Sequence, residues 1–386
     1  MNNFQFVNPT KIIFGKGGIQ QLAQEIPVDR KVLILYGGGS AKKSGLLDAI
    51  QDVLKGYTLG EFSGIEPNPT YETLMKAVEV IRKENYDFLL AVGGGSVIDG
   101  TKFIAAAVPF TQDDPWKIIA ERMPIERSLP FATVLTLPAT GSEMNNASVI
   151  TRKALQAKLP FTHPTIFPKF SILDPIYTYT LPKKQISNGV VDAFIHVTEQ
   201  YITYPVAGKV QDRFSEGLLL TLIEEGPKAL KDPENYDVRA NIMWVATLAT
   251  NGLIGSGVPQ DWSTHMIGHE ITALYGLDHA KTLAIVLPSL LEVMKDEKKE
   301  KLLQYSERIW NIAPDLSDSE KITLVIEKTR EFFETMGIKT RFSDYDLGRD
   351  VIEKIIANLE AHGMVKLGEN GSITPDVVRK VLELSL

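Results

Sequence analysis

The sequence predicts an α/β N-terminal domain built on a Rossmann-like parallel sheet, followed by an all-α C-terminal domain. Two observations carry this. A buried-type strand, a run of glycines and a helical pattern occur in that order twice in the N-terminal part, and the texture changes near Pro182, beyond which strand-like runs are scarce. The predicted domains are 1–182 and 183–386.

Lys31 to Tyr36, with Val32 to Leu35 aliphatic, is a run of strand length ending at Gly37-Gly38-Gly39-Ser40, after which the chain to Leu54 has helical spacing. Tyr71 to Lys83 has the apolar spacing of an amphipathic helix. Phe88 to Val92 is a second strand, Gly93-Gly94-Gly95-Ser96 a turn, and Val97 to Val108 a helix. Strands separated by helices imply a parallel sheet covered on its faces. Phe131 to Thr136 is a third strand and runs into Leu137-Pro-Ala-Thr-Gly-Ser-Glu143. Residues 185–386 are rich in Leu, Ala, Glu and Lys at helical spacing, broken at Asp232-Pro233, Gly252 to Pro259 and Ala313-Pro314.

Bulk properties exclude several function classes. The 386 residues suffice for two domains, and 44% hydrophobic content supplies their cores. A formal charge of -7 with no long basic blocks argues against nucleic acid as a partner. No apolar run reaches spanning length and the N-terminus lacks a signal-peptide pattern, so a soluble, cytoplasmic protein without a membrane partner is expected. The chain has no cysteine. Disulfides, thiolate nucleophiles and thiolate-bound metals are therefore out, and any metal must sit on His, Asp or Glu.

Two groups of residues carry chemistry. At the carboxyl ends of parallel strands a helix begins and its free N–H groups face an anion, so the two glycine loops are candidate pyrophosphate cradles. Neither has strict G-x-G-x-x-G spacing, and each alone could be no more than a tight strand-to-helix turn. The second group is metal-like. Asp192 and His196 stand four apart and share a helix face; His265 and His269 repeat that spacing, and His279 follows closely. Only six histidines exist, and four fall in these segments. Imidazole and carboxylate donors suit Fe²⁺, Zn²⁺ or Mn²⁺, and three imidazoles with one carboxylate would leave room for a substrate oxygen. Met266-Ile267-Gly268 separates His265 from His269, so the glutamate base of a metalloprotease H-E-x-x-H is missing. His163 and His362 stand apart from these segments and are read as hydrogen-bonded core or surface residues.

With Pro67-Asn68-Pro69, Leu89 to Lys102, Thr136 to Glu143, Asn188 to Ala193 and Val258 to Trp262, these motifs resemble the iron-dependent (group III) alcohol dehydrogenase family over essentially the whole chain. Within it, they are closest to the branch of butanol dehydrogenases and NADPH-dependent broad-range aldehyde reductases. The resemblance implies a dehydroquinate synthase-like architecture, with a nicotinamide-binding α/β domain and a helical domain holding one divalent metal, Fe²⁺ or Zn²⁺. It implies hydride transfer between NAD(P)H and short- or medium-chain aldehydes, interconverting aldehyde and primary alcohol. The matching metal positions are Asp192, His196, His265 and His279, while His269 matches a non-ligand histidine near the nicotinamide, a candidate proton relay. Gly94, Gly95 and Ser96 match pyrophosphate contacts and Asp99 supports the same region. Thr136, Thr140, Asn68, Lys158 and Tyr179 match positions beside the cofactor. NAD-preferring members commonly carry an aspartate where this chain has Gly39, so Gly38, Gly39 and Ser40, with Lys42 and Lys43, are expected to favour NADP over NAD. A homodimer is also implied. A dehydroquinate synthase-like lyase would need several basic residues near the histidines, and none cluster there. A metal-storing or ligand-sensing protein would not need both the complete metal set and the glycine loops.

Overall fold

The computed structural model describes all residues from Met1 to Leu386, in two compact units. One comprises Val7–Leu181 with Glu234–Thr247; the other comprises Met1–Phe6, Pro182–Pro233 and Leu248–Leu386. Most of the helix Tyr236–Ala249 thus belongs to the α/β unit, and the first six residues to the helical one, where a single cut after residue 182 would place them otherwise.

The α/β unit holds eight strands: β1 Lys11–Phe14, β2 Lys31–Tyr36, β3 Thr58–Phe62, β4 Phe88–Gly94, β5 Phe131–Leu137, β6 Ala147–Arg152, β7 Ala157–Thr162 and β8 Phe170–Leu173. Six form one sheet in the order β1-β8-β5-β4-β2-β3, with every neighbouring pair parallel. Strands β6 and β7 form an antiparallel hairpin apart from it. Successive residues of a strand point to opposite faces, and both faces here are apolar. Leu33, Leu35, Leu89 and Ala91 enter one core; Val32, Ile34, Leu90 and Val92 enter the other. That two-sided burial is why β2 and β4 read as continuous apolar runs.

Because every strand of the sheet is parallel, their carboxyl ends share one edge. Strand β2 pairs with β3 on one side and β4 on the other, so the strand order reverses there, at the kind of switch point where α/β sheets bind ligands. Two local expectations need correction. Residues 93–96 are not a separate turn: β4 runs through Gly94, past a register shift against β5, and the helix Gly95–Ala107 starts at the next residue. Nor is the stretch from Ser40 to Leu54 one helix, since Gly45, in left-handed backbone, divides it into Ser40–Lys43 and Leu46–Val53.

The other unit is helical. Its elements include Lys183–Tyr201, Lys209–Lys231, Ser263–Tyr275, His279–Val293 and five later segments down to Pro375–Leu384. Ile267 and Ile271, two residues out of step with His265 and His269, turn the opposite face of their helix into a core with Ile285, Val286, Val351 and Ile355. No helix is long and apolar enough to cross a membrane.

Candidate active site

Three helices of the second unit bring the metal-type residues together. Asp192 and His196 share a face of Lys183–Tyr201, whose other side buries Phe194 against Phe332 and Phe333. His265 and His269 lie one turn apart on Ser263–Tyr275, and His279 opens His279–Val293. These last two helices pack closely because Gly268 lies between the histidines. A Cβ there would stand 2.8 Å from Leu283 Cδ2 and 2.9 Å from Thr282 Oγ1. The loop before His279 is tied back to the first helix by the ion pair Lys184–Asp278 at 2.7 Å.

The resulting geometry has one centre. The Nε2 atoms of His196, His265 and His279 lie 3.7, 3.8 and 3.7 Å from the same oxygen, Asp192 Oδ1. These separations exceed hydrogen-bond length. They suit donors facing a common cation, since tetrahedral ligands at bonds of ~2.1 Å stand roughly 3.4 Å apart. Asp192, His265 and His279 each present a ligand atom within 4.8 Å of the other two, a group that could hold a metal ion. His196 adjoins this triad through Asp192 and by stacking on His265 at 4.5 Å between ring centroids. His265 Nε2 is buried without a hydrogen-bond partner, a cost that a cation would remove. The donor set therefore fits a divalent metal. His269 is buried beside it, its ring stacked on His279 at 5.3 Å.

Burial pushes His196 down to about 4. Burial acts the same way on His265, but the Glu199 and Asp192 carboxylates outweigh it and hold this imidazole up, at about 9. Glu199 did not emerge from the sequence. The signal was present, because Glu199 continues the Asp192, His196 face at helical spacing, but a glutamate on a helix is too common to single out. Its Oε2 meets His265 Nδ1 and its Oε1 accepts from Thr264 N at 2.6 Å. The two histidines outside this cluster have local partners. His362 pairs with buried Glu270 at 2.8 Å, and His163 Nδ1 contacts Thr165 Oγ1 at 2.8 Å.

In the α/β unit most of the residues expected to contact a cofactor lie at or after the carboxyl ends of the parallel strands. Gly38, Gly39 and Ser40 follow β2, Asn68 follows β3, and Gly94, Gly95, Ser96 and Asp99 span the junction of β4 with its helix. Thr136 and Thr140 mark the end of β5, and Tyr179 comes after β8. Several touch directly. Asn68 N donates to Ser96 Oγ at 3.3 Å, and Lys158, on the β6–β7 hairpin, donates to Asn68 Oδ1 at 2.9 Å. Thr140 presses on Gly95, where a Cβ would meet its Oγ1 at 2.3 Å. Asp99 instead faces the segment after β5, accepting from Ser142 Oγ at 2.6 Å and Val149 N at 3.0 Å. Beside it Lys102, fully buried, donates to Ser142 Oγ, Asn145 Oδ1 and Ala147 O at 2.8, 2.8 and 2.7 Å. The ionisable neighbours of Tyr179 are Tyr236, Asp174, Glu234 and Arg239.

The two loops differ in what their glycines do. Gly94 and Gly95 let the protein's own Leu137 and Thr140 come close, whereas a Cβ at Gly38 or Gly39 would meet nothing within 4 Å. Gly39 has φ +98, a conformation that side chains other than glycine's rarely adopt. The Gly94–Gly95 junction is thus compressed by the fold, and the first loop is open at Gly38 and Gly39.

Residues 9–175 match the family model described as iron-containing alcohol dehydrogenase, and residues 186–384 match that of the Fe-containing alcohol dehydrogenase family, C-terminal. The chain is 59% identical over 385 residues to the NADPH-dependent aldehyde reductase YqhD of Escherichia coli, covering 99% of both chains. It is 41% identical over 390 residues to the probable NADH-dependent butanol dehydrogenase 1 of Bacillus subtilis, covering all of both. A crystal structure of E. coli YqhD superposes with a TM-score of 0.99 at 58% identity, over 100% of this chain and 99% of that one.

Proposed function

Because the chain belongs to the iron-containing alcohol dehydrogenase family, we propose that it interconverts short- or medium-chain aldehydes and primary alcohols, using NADPH in preference to NADH and one divalent cation, Fe²⁺ or Zn²⁺. The observation that carries this reading is the convergence of three imidazole nitrogens on Asp192 Oδ1. The cation would be held by Asp192, His265 and His279, with His196 completing the set. When bound, it supplies Lewis-acid polarisation of a carbonyl oxygen, and the nicotinamide supplies the hydride.

The chain's own residues do the rest. Gly94, Gly95 and Ser96 offer backbone N–H groups at the start of a long helix, suited to a pyrophosphate. Lys158, Asn68 and Ser96 form a connected polar run beside them, and Thr136 and Thr140 border the same strand ends. Asp99 and Lys102 stiffen the segment that carries Thr140. The open loop Gly38 to Ser40 has no carboxylate of its own, which suits a 2′-phosphate. His269 would orient the substrate or pass a proton; its stacking on His279, a proposed ligand, supports this. The preference for NADPH agrees with the name of the 59% identical E. coli relative; the B. subtilis relative at 41% is named for NADH. A cytoplasmic homodimer completes the reading.

The test is a paired assay of NADPH and NADH oxidation against an aldehyde panel, with metal analysis and light scattering on the same sample. Turnover should be faster with NADPH, should vanish on exhaustive chelation while far-UV circular dichroism is retained, and should return with Fe²⁺ or Zn²⁺. Full turnover by demonstrably metal-free protein refutes the proposal.

A further inference from the structure

We propose that Glu199 is a positioning residue for the metal centre: it decides which nitrogen of His265 carries the proton, and so which is left to bind the cation. The inference rests on the metal assignment above. Both oxygens of this buried carboxylate are taken by donors from one turn of the neighbouring helix, Thr264 N and His265 Nδ1. An ionised carboxylate only accepts. Nδ1 therefore keeps its hydrogen when a cation displaces the other, and the lone pair that binds the cation is on Nε2, the atom 3.8 Å from Asp192 Oδ1. Outer partners of this kind fix tautomer and ring orientation in metal sites generally.

The turn presenting these two donors is held by other means as well. Lys298, almost wholly buried, donates to Ile202 O at 3.0 Å, pairs with Asp261 Oδ2 at 2.9 Å and reaches both oxygens of Glu369 at 2.8 and 2.9 Å. Ile202 ends the helix of Asp192 and His196, and Asp261 precedes the helix of His265. Asp261 Oδ1 in turn accepts from Ser263 N at 3.0 Å, while Asp261 N donates to Glu199 O at 2.9 Å. Between them Trp262 is held in left-handed backbone, φ 62, with its ring 5.4 Å from that of His265. None of these contacts uses the side chain of Glu199. The contribution specific to Glu199 is the proton on His265.

Glu199→Gln isolates it. A glutamine has one acceptor oxygen for two donors, so either Thr264 N–H or His265 Nδ1 must face its NH₂ group. In the second case Nδ1 becomes the acceptor, and the proton moves to the nitrogen needed by the metal.

The experiment measures the Zn²⁺ dissociation constant of the full chain by competition with a chromophoric chelator, for wild type, Glu199→Gln, His265→Ala and the double variant, alongside thermal unfolding of the metal-free proteins. Glu199→Gln should bind about 10- to 100-fold more weakly than wild type. It should change nothing further once His265 is Ala, whereas a purely structural defect would persist in that background. Equal affinity for wild type and Glu199→Gln overturns the inference alone; no saturable Zn²⁺ binding by wild type overturns the metal assignment with it. A second measurement needs no variant. In zinc-loaded wild type labelled with ¹⁵N-histidine, His265 should show a protonated Nδ1 and a metal-bound Nε2, and the reverse pattern overturns the proposal.

Discussion

Replacing Gly39 by Asp should turn the cofactor preference from NADPH toward NADH, and the structure separates the two effects that the substitution combines. The first is steric and conformational. A Cβ at this position meets nothing within 4 Å, so the side chain has room, but the backbone sits at φ +98, beyond the left-handed basin that Asp and Asn tolerate. That strain costs about 1–2 kcal/mol in the folded protein and falls on both cofactors alike. The second effect is electrostatic. A carboxylate about 5 Å from a dianionic 2′-phosphate costs about 1.7 kcal/mol in a water-like dielectric and about 3 kcal/mol where the effective dielectric is halved. The ratio of kcat/KM for NADPH over NADH should therefore fall roughly 20- to 200-fold. Gly39→Asn carries similar backbone strain without the charge and is the control. The assay is the kcat/KM of wild type, Gly39→Asn and Gly39→Asp with each cofactor at one fixed aldehyde. If the two variants show the same cofactor ratio, the charge at this loop is not the selector, whatever their absolute rates.

Two further predictions probe the same unit. Gly95→Ala should weaken NADPH binding at least about 10-fold, because its Cβ would lie 2.3 Å from Thr140 Oγ1 and 2.6 Å from Thr140 Cγ2, while the Zn²⁺ dissociation constant should not move; unchanged NADPH affinity in a fluorescence titration contradicts the proposed cradle. Burial pushes the ammonium of Lys102 down to about 8 from its ordinary 10.5, against the pull of Asp99 and Glu143. Below pH 8 lysine is charged in both states and the fold bears the whole penalty. Between pH 8 and 10.5 only the unfolded chain keeps the proton, so the contribution of Lys102 to stability should rise by about 3 kcal/mol with pH. The difference in urea midpoint between wild type and Lys102→Met, followed from pH 7 to 10.5, measures it; a difference that stays flat refutes the burial argument.

Much of this molecule was legible in the order of its residues. Strands buried on both faces must be continuously apolar, so β2, β4 and β5 were visible as runs, and the amphipathic helix Tyr71–Glu84 was visible by its spacing. Short or half-exposed strands leave no such trace. β1 spans four residues at the sheet edge, and β3 is Thr-Leu-Gly-Glu-Phe with its side chains half in solvent, so neither stood out. The pairing Asp192/His196 and the run His265/His269/His279 were equally plain, because residues four apart on a helix share a face and histidine is scarce in this chain.

What the sequence by itself determined, then, is local: which segments are strands or helices, which faces they bury, and which side chains share a turn. Tertiary structure decided everything that depends on distance between segments. It placed three imidazole nitrogens around one oxygen of Asp192, brought Glu199 onto the far nitrogen of His265, and set buried Lys298 between the end of the helix of Asp192 and His196 and the start of that of His265. It also assigned most of the helix after Glu234 to the α/β unit despite its place in the chain. The physical reason is that periodicity reports only the environment of a residue on its own element. Which other element supplies that environment is fixed by packing, as when the missing Cβ of Gly268 lets the helix of His279 approach that of His265.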